Sequence, residues 1–292
     1  MVVVRLSGGL GNQLFQYAMG RYLSFNAKTE LVLEDSFYFQ RSPNLTPRTF
    51  ELDKFSIQAR RASAEEKKAL RSYTGKIWKR FRRALPLGGQ LRYVHEPIGK
   101  ILPTAREYKD QVFLDGYWQS SDYFSGIEDL LRDELQLLIP MSNNDQRIAS
   151  HMARVDAISI HVRRGDYVSN TAANKMHGVC SLDYYQKAVK FMAEQLPNPV
   201  FFVFSDDLNW VKCNLQINNP CVYVGHNSSS MAVQDLRLMS IARHHIIANS
   251  SFSWWAAWLN PSLTKQVVRP KKWFVGLPKM DNQICPAKWV AL

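Results

Sequence analysis

The chain has 292 residues, of which 46% are hydrophobic and 21% are charged, and its formal net charge is +12. This ordinary globular mixture is long enough for one large domain or two of usual size. No apolar run approaches the roughly 18 residues that span a bilayer, and the N-terminal apolar stretch is too short for a signal peptide. We therefore expect a cytoplasmic protein with free thiols, because its four cysteines lack the paired spacing of a zinc site.

The positive charge is concentrated between Arg60 and Arg106. This segment has 13 basic and 3 acidic residues, and residues 63–83 within it are predicted to form a helix. The basic face could be solvated, could contact an anionic membrane surface or an acidic acceptor, or could bind nucleic acid. No nucleic-acid-binding motif accompanies it, so we expect no nucleic-acid partner and retain peripheral membrane contact as a hypothesis.

A strand, a glycine-rich turn and a helix are predicted at the start of the chain. Val2 to Leu6 is a β-branched run typical of a buried strand, and apolar residues recur at helical spacing after the turn. Glycines allow a ligand to approach the backbone closely, and a helix N-terminus favours an anion. Asn12 and Gln13 add polar side chains to the same opening. The spacing is not G-x-G-x-x-G, so a plain strand–helix turn is the alternative interpretation.

Two further strands in the first half end in carboxylates. Glu30 to Leu33 leads into Glu34 and Asp35, and Val112 to Leu114 leads into Asp115. Carboxyl ends of strands are where open α/β sheets bind ligands, so each of these carboxylates is a candidate catalytic base.

Three predicted strands in the second half also end in polar clusters. The first cluster is His161, Arg163, Arg164 and Asp166; the second is Ser205, Asp206 and Asp207; the third is Asn249, Ser250, Ser251 and Ser253. If the chain stays extended after the first strand, its two arginines point to opposite sides, so one could face a ligand while the other pairs with the following aspartate.

Strands and helices alternate along both halves, which predicts parallel sheets with helices on both faces. The proline-broken segment from Pro140 to Asn144 is the best domain boundary, giving domains at 1–140 and 141–292. Residues 169–178 are predicted to be a loop. The fold class is therefore α/β, with two halves whose strand ends form a cleft.

The second-half clusters have complementary chemistry. Guanidinium groups match phosphate oxygens, and hydroxyl and amide groups at a helix start also bind phosphate. An aspartate can accept hydrogen bonds from the N–H groups of guanine. Together these clusters predict a nucleotide-diphosphate pocket. With arginines available to neutralise the diphosphate, a metal is not required, although a metal-diphosphate site at Asp206 and Asp207 is an alternative.

Each cluster also has a purely structural interpretation. Arg163 or Arg164 could form a salt bridge with Asp166, and an aspartate of the second cluster could cap a helix. The serines of the third cluster could likewise be only a cap. The tryptophans at 254, 255 and 258 are more typical of a core than of a sugar platform.

Five motifs in order resemble the α-1,2-fucosyltransferases of glycosyltransferase family 11. They are GGLGNQLFQYAMGRYLS at the start, DGYWQSSDYF at 115–124, HVRRGDYV at 161–168, FFVFSDD at 201–207 and DLRLMSIARHHIIANSSFSWWAAWL at 235–259. The resemblance extends nearly from end to end, although residues 56–108 carry none of these motifs. Bacterial members of the family lack the membrane anchor of the animal enzymes.

This resemblance implies two Rossmann-like domains facing across a cleft, the GT-B arrangement, with the acceptor on the N-terminal domain and the donor on the C-terminal one. It implies transfer of L-fucose from GDP-β-L-fucose to the 2-hydroxyl of a galactose, with inversion and without cofactor or essential metal. Alternatives are a transferase for another sugar nucleotide and a binding protein without turnover.

Site roles also follow from the resemblance. His161 and Arg163 are expected to bind the donor, Arg163 to stabilise the leaving GDP, and one aspartate of Ser205–Asp207 to bind guanine. Ser250 and Ser251 are expected to meet the diphosphate, and Arg164, Ser205, Asn249 and Ser253 are also expected to bind the donor. The expected catalytic residues are Arg163, Asp166 and His161. The residues expected to line the acceptor side of the cleft are Gly9, Gly11, Asn12, Gln13, Asp35 and Asp115.

An inverting transfer usually uses a base near the attacking hydroxyl. Asp166, Glu34, Asp35 and Asp115 are candidates, and the sequence does not choose among them. The expected acceptor is a galactose-terminated oligosaccharide or a lipid-linked glycan of a surface polysaccharide such as an O-antigen. In the second case the basic segment would approach the inner face of the bacterial membrane.

Overall fold

The computed structural model describes residues 1–40, 47–74, 91–277 and 280–292, and the side chains of residues 72–74, 166, 169, 172 and 173 are also outside the description. Contacts divide the chain into two compact units, Met1–Leu138 and Ile139–Leu292. Each unit contains a parallel sheet and helices. The α/β class expected from the alternating strands and helices is confirmed.

The first unit is built on five parallel strands in the order β3-β2-β1-β5-β4. The strands are β1 (Val2–Arg5), β2 (Leu31–Glu34), β3 (Arg60–Arg61), β4 (Arg92–His95) and β5 (Val112–Asp115). The helices are α1 (Leu10–Ala27), α2 (Ala64–Thr74) and α3 (Glu128–Glu134), with 3₁₀ turns at Ser36–Phe39, Leu52–Lys54, Pro103–Glu107 and Ser121–Phe124. Val3, Val32 and Phe113 lie in one buried cluster, so neighbouring strands bury their apolar side chains together.

The second unit has six parallel strands in the order β11-β10-β9-β6-β7-β8. The strands are β6 (Asp156–Val162), β7 (Pro199–Ser205), β8 (Cys221–Val224), β9 (His244–Ile246), β10 (Val267–Arg269) and β11 (Val290–Ala291). The helices are α4 (Asn143–Met152), α5 (Gly165–Ser169), α6 (Thr171–His177), α7 (Leu182–Gln195), α8 (Leu208–Asn214), α9 (Ala232–Ile241) and α10 (Ser251–Leu259), with a 3₁₀ turn at Ser229–Met231.

The core of the second unit forms where α7 packs on the sheet. Ile158 and Ile160 of β6 lie in one buried cluster with Tyr185 and Met192 of α7. The helix begins as the sequence predicts, because Ser181 accepts a hydrogen bond from the Tyr184 amide at 3.1 Å. The strand order reverses at β6, which pairs with β7 on one side and β9 on the other. Such a reversal is the place where open parallel sheets bind ligands.

Two local predictions differ from the structure. Residues 169–178 were expected to be a loop, but Thr171–His177 is a helix, and the Asn174 side chain donates to the Tyr167 carbonyl at 2.6 Å. The strands β3 and β4 were not expected. Their sequences, RR and RYVH, contain no continuous apolar run, and each lies at a sheet edge with one neighbour. The predicted basic helix is described as far as Thr74, and residues 75–83 lie outside the described residues.

The described part of the basic segment is paired with acidic side chains. Arg60 bonds both Glu30 and Glu66, and Lys67 contacts Asp35 at 2.6 Å. Much of its charge is therefore balanced within the first unit. No helix in the described ranges combines the length and apolarity needed to cross a bilayer.

Candidate functional site

The three polar clusters of the second half lie at one edge of the second sheet. His161 lies near the end of β6, where its register partner in β7 is Phe204. The two arginines follow directly after the strand. Ser205 ends β7, and Ser250 precedes α10 after β9. Because β6 lies between β7 and β9, the parallel strands bring all three clusters to the carboxyl edge at the reversal of strand order.

The two arginines pair with the two aspartates that follow β7. Arg163 Nη1 lies 2.8 Å from Asp206 Oδ2, and the Arg164 amide donates to Asp206 Oδ1 at 2.8 Å. Arg164 Nε donates to Asp207 Oδ2 at 3.2 Å, and its guanidinium lies 3.6 Å from the centre of the Trp210 ring. Arg164 is thereby fixed by packing as well as by charge. The expected pairing with Asp166 falls on a side chain outside the described residues.

The two aspartates differ in what else they do. Asp207 is the N-cap of α8, because its Oδ1 accepts from the Trp210 amide at 3.2 Å. Its own amide donates to Ser205 Oγ at 2.9 Å. The helix-capping interpretation therefore describes Asp207, and Asp206 is the aspartate that holds the loop after β6.

A cavity of about 610 Å³ opens beside these aspartates, at the carboxyl ends of β7 and β8. Its lining residues are Asp206, Asp207, Leu208, Asn209, Lys212, Tyr223, Gly225 and His226. At Gly225 the backbone lies close to the Leu208 side chain, so a Cβ there would displace the end of that side chain. The volume is in the usual range for sites that bind small molecules.

His226 is a lining residue that the sequence analysis missed. Its Nε2 lies 2.8 Å from Oδ1 of Asp145, a fully buried carboxylate at the start of α4. Burial alone would raise the pKa of Asp145, but hydrogen bonds from Ser142, Asn227 and His226 outweigh it and lower the pKa. An ionised Asp145 accepts from Nε2–H, which fixes the tautomer of His226.

His161 is buried, with only 5% of its surface exposed, and its ring lies against Phe252. Burial, assisted by the charge of Arg163 and opposed by Asp206, lowers the pKa of His161 to about 4. The imidazole is therefore neutral at physiological pH. Its Nδ1 has no hydrogen-bond partner among the described residues, although buried polar atoms are normally satisfied. A ligand group or a water molecule is the expected partner.

The third cluster divides into residues that bond the surrounding backbone and residues at the start of α10. Asn249 is buried, and its amide donates to the carbonyls of His177 at 2.7 Å and Trp273 at 3.3 Å. Ser253 is also buried and bonds carbonyls of its own chain segment. Asn249 and Ser253 thus support the loop. Ser250 is the N-cap of α10; its side chain is buried and makes no capping bond within the described structure, and Ser251 is the first residue of the helix.

The tryptophans of α10 belong to the core. Trp254 and Trp255 are fully buried and Trp258 is nearly so, and the three rings contact one another. They anchor α10, and so hold its N-terminus at the site.

The glycine-rich turn of the first unit follows β1. Gly9 is the N-cap of α1, and Gly11 is buried inside that helix. Asn12 is partly exposed, and its Oδ1 accepts from Gln119 at 2.8 Å. Gln13 is fully buried: its amide donates to the Thr49 carbonyl at 2.8 Å, and its oxygen accepts from the Glu51 amide. The structure places Asn12 at the accessible edge, whereas Gln13 ties a loop to the helix from inside.

The candidate carboxylates of the first unit are all engaged. Asp35 is fully buried and pairs with Arg61 and Lys67. Glu34 is buried and accepts from the Ser36 amide at 2.8 Å.

The Asp115 side chain is 20% exposed. Its Oδ2 accepts a hydrogen bond from the Tyr93 hydroxyl at 2.5 Å and lies 3.5 Å from Arg5 Nη1. Of these three carboxylates, Asp115 is the most accessible.

The described residues contain no group of three or more histidine, cysteine, aspartate or glutamate side chains arranged to hold a metal ion. The arginines, the helix start and the cavity at the second sheet can bind an anionic ligand with a hydrogen-bonding base attached.

The sequence of this chain is similar to those of several known proteins. Residues 99–290 match the model of glycosyl transferase family 11. The chain is 36% identical to the Escherichia coli O-antigen biosynthesis glycosyltransferase WbnK, covering 98% of this chain and 99% of that protein. It is 35% identical to an E. coli alpha-1,2-colitosyltransferase, covering 100% and 99%. It is 27% identical to galactoside alpha-(1,2)-fucosyltransferase 1 of Rattus norvegicus, covering 50% and 41%.

Among solved structures, Arabidopsis thaliana FUT1 in complex with GDP is similar in fold, with a TM-score of 0.52 at 12% identity. The alignment covers 99% of this chain and 75% of that one. The family match covers more than half of the chain, and the first two relatives align over essentially their full length. This chain is a member of glycosyltransferase family 11.

Proposed function

We propose that this glycosyltransferase moves L-fucose from GDP-β-L-fucose to the 2-hydroxyl of a terminal galactose, with inversion at the transferred carbon and without a metal. The observation that carries the proposal is the meeting of Arg163, Asp206 and the start of α10 at one edge of the second sheet. The choice of fucose and of the α-1,2 linkage is supported by the five family motifs and by the fucosyltransferase of Rattus norvegicus.

Two parts of this edge bind different parts of the sugar nucleotide. The diphosphate binds Arg163 and the amide and hydroxyl groups of Ser250 and Ser251, since both are suited to phosphate oxygens. The guanine base enters the cavity at β7 and β8, where Asp206 or Asp207 accepts from its N–H groups. Both aspartates line the cavity, and each also accepts hydrogen bonds from the protein.

His161 completes the donor site. Its buried Nδ1 lacks a partner among the described residues, and a hydrogen-bonding group of the donor supplies one. Because the imidazole is neutral and buried, it orients the donor and does not act as the acid or base of the transfer. Arg164, Asn249 and Ser253 hold the surrounding loops.

The chemistry requires stabilisation of the departing GDP. The bond from the sugar to phosphate breaks with oxocarbenium character, so negative charge grows on the phosphate oxygens. Arg163 is oriented by Asp206 before the sugar nucleotide binds. A hydrogen-bonding group that is preorganised in this way contributes about 3–4 kcal/mol to the stabilisation of a transition state. This supports a reaction that needs no metal.

The acceptor belongs to the first unit in this proposal. Gly9 and Asn12 at the start of α1 and Asp115 at the end of β5 lie at one sheet edge and contact the galactoside. The acceptor is a free oligosaccharide or a lipid-linked glycan. In the second case residues 60–106 contact the membrane.

A second donor is supported by a specific comparison. The alpha-1,2-colitosyltransferase is 35% identical over the whole chain, so a GDP-linked colitose is the alternative donor. Colitose lacks one hydroxyl that fucose has. A site that hydrogen-bonds this hydroxyl would reject colitose strongly, whereas a site without such a bond would accept both sugars.

The test is a GDP-release assay with purified protein, GDP-fucose or GDP-colitose, and a panel of β-galactosides, with and without EDTA. We expect galactoside-dependent release from GDP-fucose in EDTA, and an α-1,2 linkage in the product by NMR. Arg163→Ala should lower kcat by about 10²- to 10³-fold while the fold is retained. A higher kcat/KM for GDP-colitose would move the donor assignment to colitose, and loss of activity in EDTA would refute metal independence.

A further inference from the structure

A histidine at the carboxyl edge of the first sheet has the geometry of a base. His95 is the last residue of β4, and its register partner in β5 is Asp115. The Nδ1 atom of His95 lies 3.1 Å from the carbonyl oxygen of Asp115 and 3.8 Å from its carboxylate. The imidazole is 56% exposed.

This geometry assigns the protons of the ring. A carbonyl oxygen only accepts, so Nδ1 of the neutral ring carries the hydrogen and Nε2 has the lone pair. The nearby carboxylate stabilises the positive charge that develops when Nε2 takes up a proton. The ring is therefore oriented by one partner and remains accessible at the other nitrogen, as a general base requires.

Asp115 is itself held in place. The Tyr93 hydroxyl donates to its Oδ2 at 2.5 Å, and Arg5 Nη1 lies 3.5 Å from the same oxygen. Glu34 lies 3.7 Å from Arg5, and Glu96, whose pKa is raised mainly by burial, also interacts with the charge of His95. These are the charged and titratable groups of β1, β2, β4, β5 and the loop after β4 that surround the imidazole.

The carboxylates suggested by the sequence are less suited to take up a proton. Asp35 is fully buried between two cations, and Glu34 is buried and bonded by an amide. Asp115 contacts both Arg5 and Tyr93 through Oδ2, and its side chain is 20% exposed. The His95 side chain is 56% exposed and therefore the more accessible of the two.

His95 also lies on the edge that carries the glycine-rich turn. Gln16 of α1 donates to the Gly116 carbonyl at 3.1 Å, and Gln119 donates to Asn12 at 2.8 Å. These bonds attach the segment after β5 to the start of α1. The base, the turn and Asn12 thus belong to one connected edge, where parallel sheets bind ligands.

We propose that His95 is the general base for the acceptor hydroxyl and that Asp115 is its positioning residue. This inference rests on the proposed function. As the 2-hydroxyl oxygen forms its bond to the anomeric carbon, its proton passes to Nε2 of His95. The electron pair of the breaking bond leaves with GDP, and the proton on His95 is then released to solvent.

The test compares wild type with His95→Gln, His95→Ala and Asp115→Asn, using the galactoside assay over a range of pH. We expect His95→Gln to lower kcat by about 10²-fold, with unchanged affinity for GDP by calorimetry. The wild-type rate should fall at acidic pH, because a protonated imidazole cannot accept a proton, and this acidic limb should vanish in His95→Gln. The pKa of His161 is about 4, so above that pH His161 is neutral and does not supply the limb.

Two further measurements separate catalysis from structure. Added imidazole should restore part of the rate of His95→Ala in proportion to its concentration, and should not affect His151→Gln, which alters an exposed histidine of α4. Asp115→Asn should shift the acidic limb and reduce kcat less than His95→Gln does.

Each outcome bears on one of the two claims. A His95→Gln enzyme that keeps its acidic limb and more than a third of its kcat overturns the base assignment and leaves the proposed transfer intact. Wild-type protein that forms no α-1,2 product from GDP-fucose or GDP-colitose overturns the proposed function, and the base assignment with it.

Discussion

Replacing Gly165 by alanine tests how the donor site is held together. Gly165 begins α5 and does not adopt the left-handed φ that favours glycine, so the substitution acts through space. An alanine Cβ there would lie 2.5 Å from Oδ2 of Asp206, whereas ordinary contact begins at 3.4 Å. The carboxylate must therefore retreat by 0.9 Å.

This retreat breaks the contact that orients Arg163. The Arg163–Asp206 distance is 2.8 Å, so a displacement of this size takes the pair beyond hydrogen-bonding range. A hydrogen bond to a charged group contributes about 1.5–3 kcal/mol. If the same free energy is lost from donor binding in the transition state, kcat/KM for the donor falls by about 10- to 150-fold.

A double-mutant cycle measures the effect. Gly165→Ala, Asp206→Ala and the double variant are compared with wild type by donor kcat/KM and by urea unfolding. Because Asp206→Ala removes the atoms that clash, Gly165→Ala should cost less than about 0.5 kcal/mol in that background. If Gly165→Ala lowers kcat/KM equally in both backgrounds, the clash with Asp206 is not its cause, and our account of how Arg163 is positioned fails.

Two further predictions concern stability. The pKa of His161 is lowered to about 4, so between pH 6.5 and pH 4 the unfolded chain binds a proton there that the folded chain does not. As the pH is lowered across this window, the unfolding free energy should decrease, by at most about 3 kcal/mol from this residue. The decrease, measured by urea titration, should be smaller in His161→Asn, and equal pH slopes in the two proteins would refute the prediction. Gln13→Leu leaves the Thr49 carbonyl and the Glu51 amide without their partner and should lower the unfolding free energy by about 2–4 kcal/mol, whereas the control Asn12→Ala should cost less than about 1 kcal/mol; similar losses would contradict an internal role for Gln13.

The central strands and the donor cluster could be predicted from the sequence for a physical reason. A strand buried on both faces is a continuous apolar run, and the runs before Arg163 and before Ser205 are of this type. Polar residues directly after such runs must lie at the carboxyl edge. The edge strands β3 and β4 gave no such signal, because most of their side chains are exposed or only partly buried.

Pairings between distant residues could not be predicted in the same way. One of the two arginines could have paired with Asp166, whose side chain lies outside the described residues. The described partners of Arg163 and Arg164 are Asp206 and Asp207, about 40 residues further on, which no local pattern indicates. The sequence signals for Gln13 and Asn12 were alike, but only the fold decides which of two adjacent amides faces inward. His95 had no apolar run before it to mark a strand end, so only the pairing of β4 with β5 brings it to Asp115.

The pairing of the arginines also determines how the donor site selects its ligand. Two adjacent guanidinium groups without anionic partners would attract any phosphate, but here each one contacts a carboxylate. A diphosphate that binds Arg163 must share it with Asp206, so charge alone contributes little and the geometry of the remaining contacts decides affinity. In the proposed donor site, a guanine nucleotide would offer oxygens to Arg163 and N–H donors to the aspartates, whereas free phosphate would offer only oxygens. On that proposal the same ion pair orients Arg163 and discriminates against small anions.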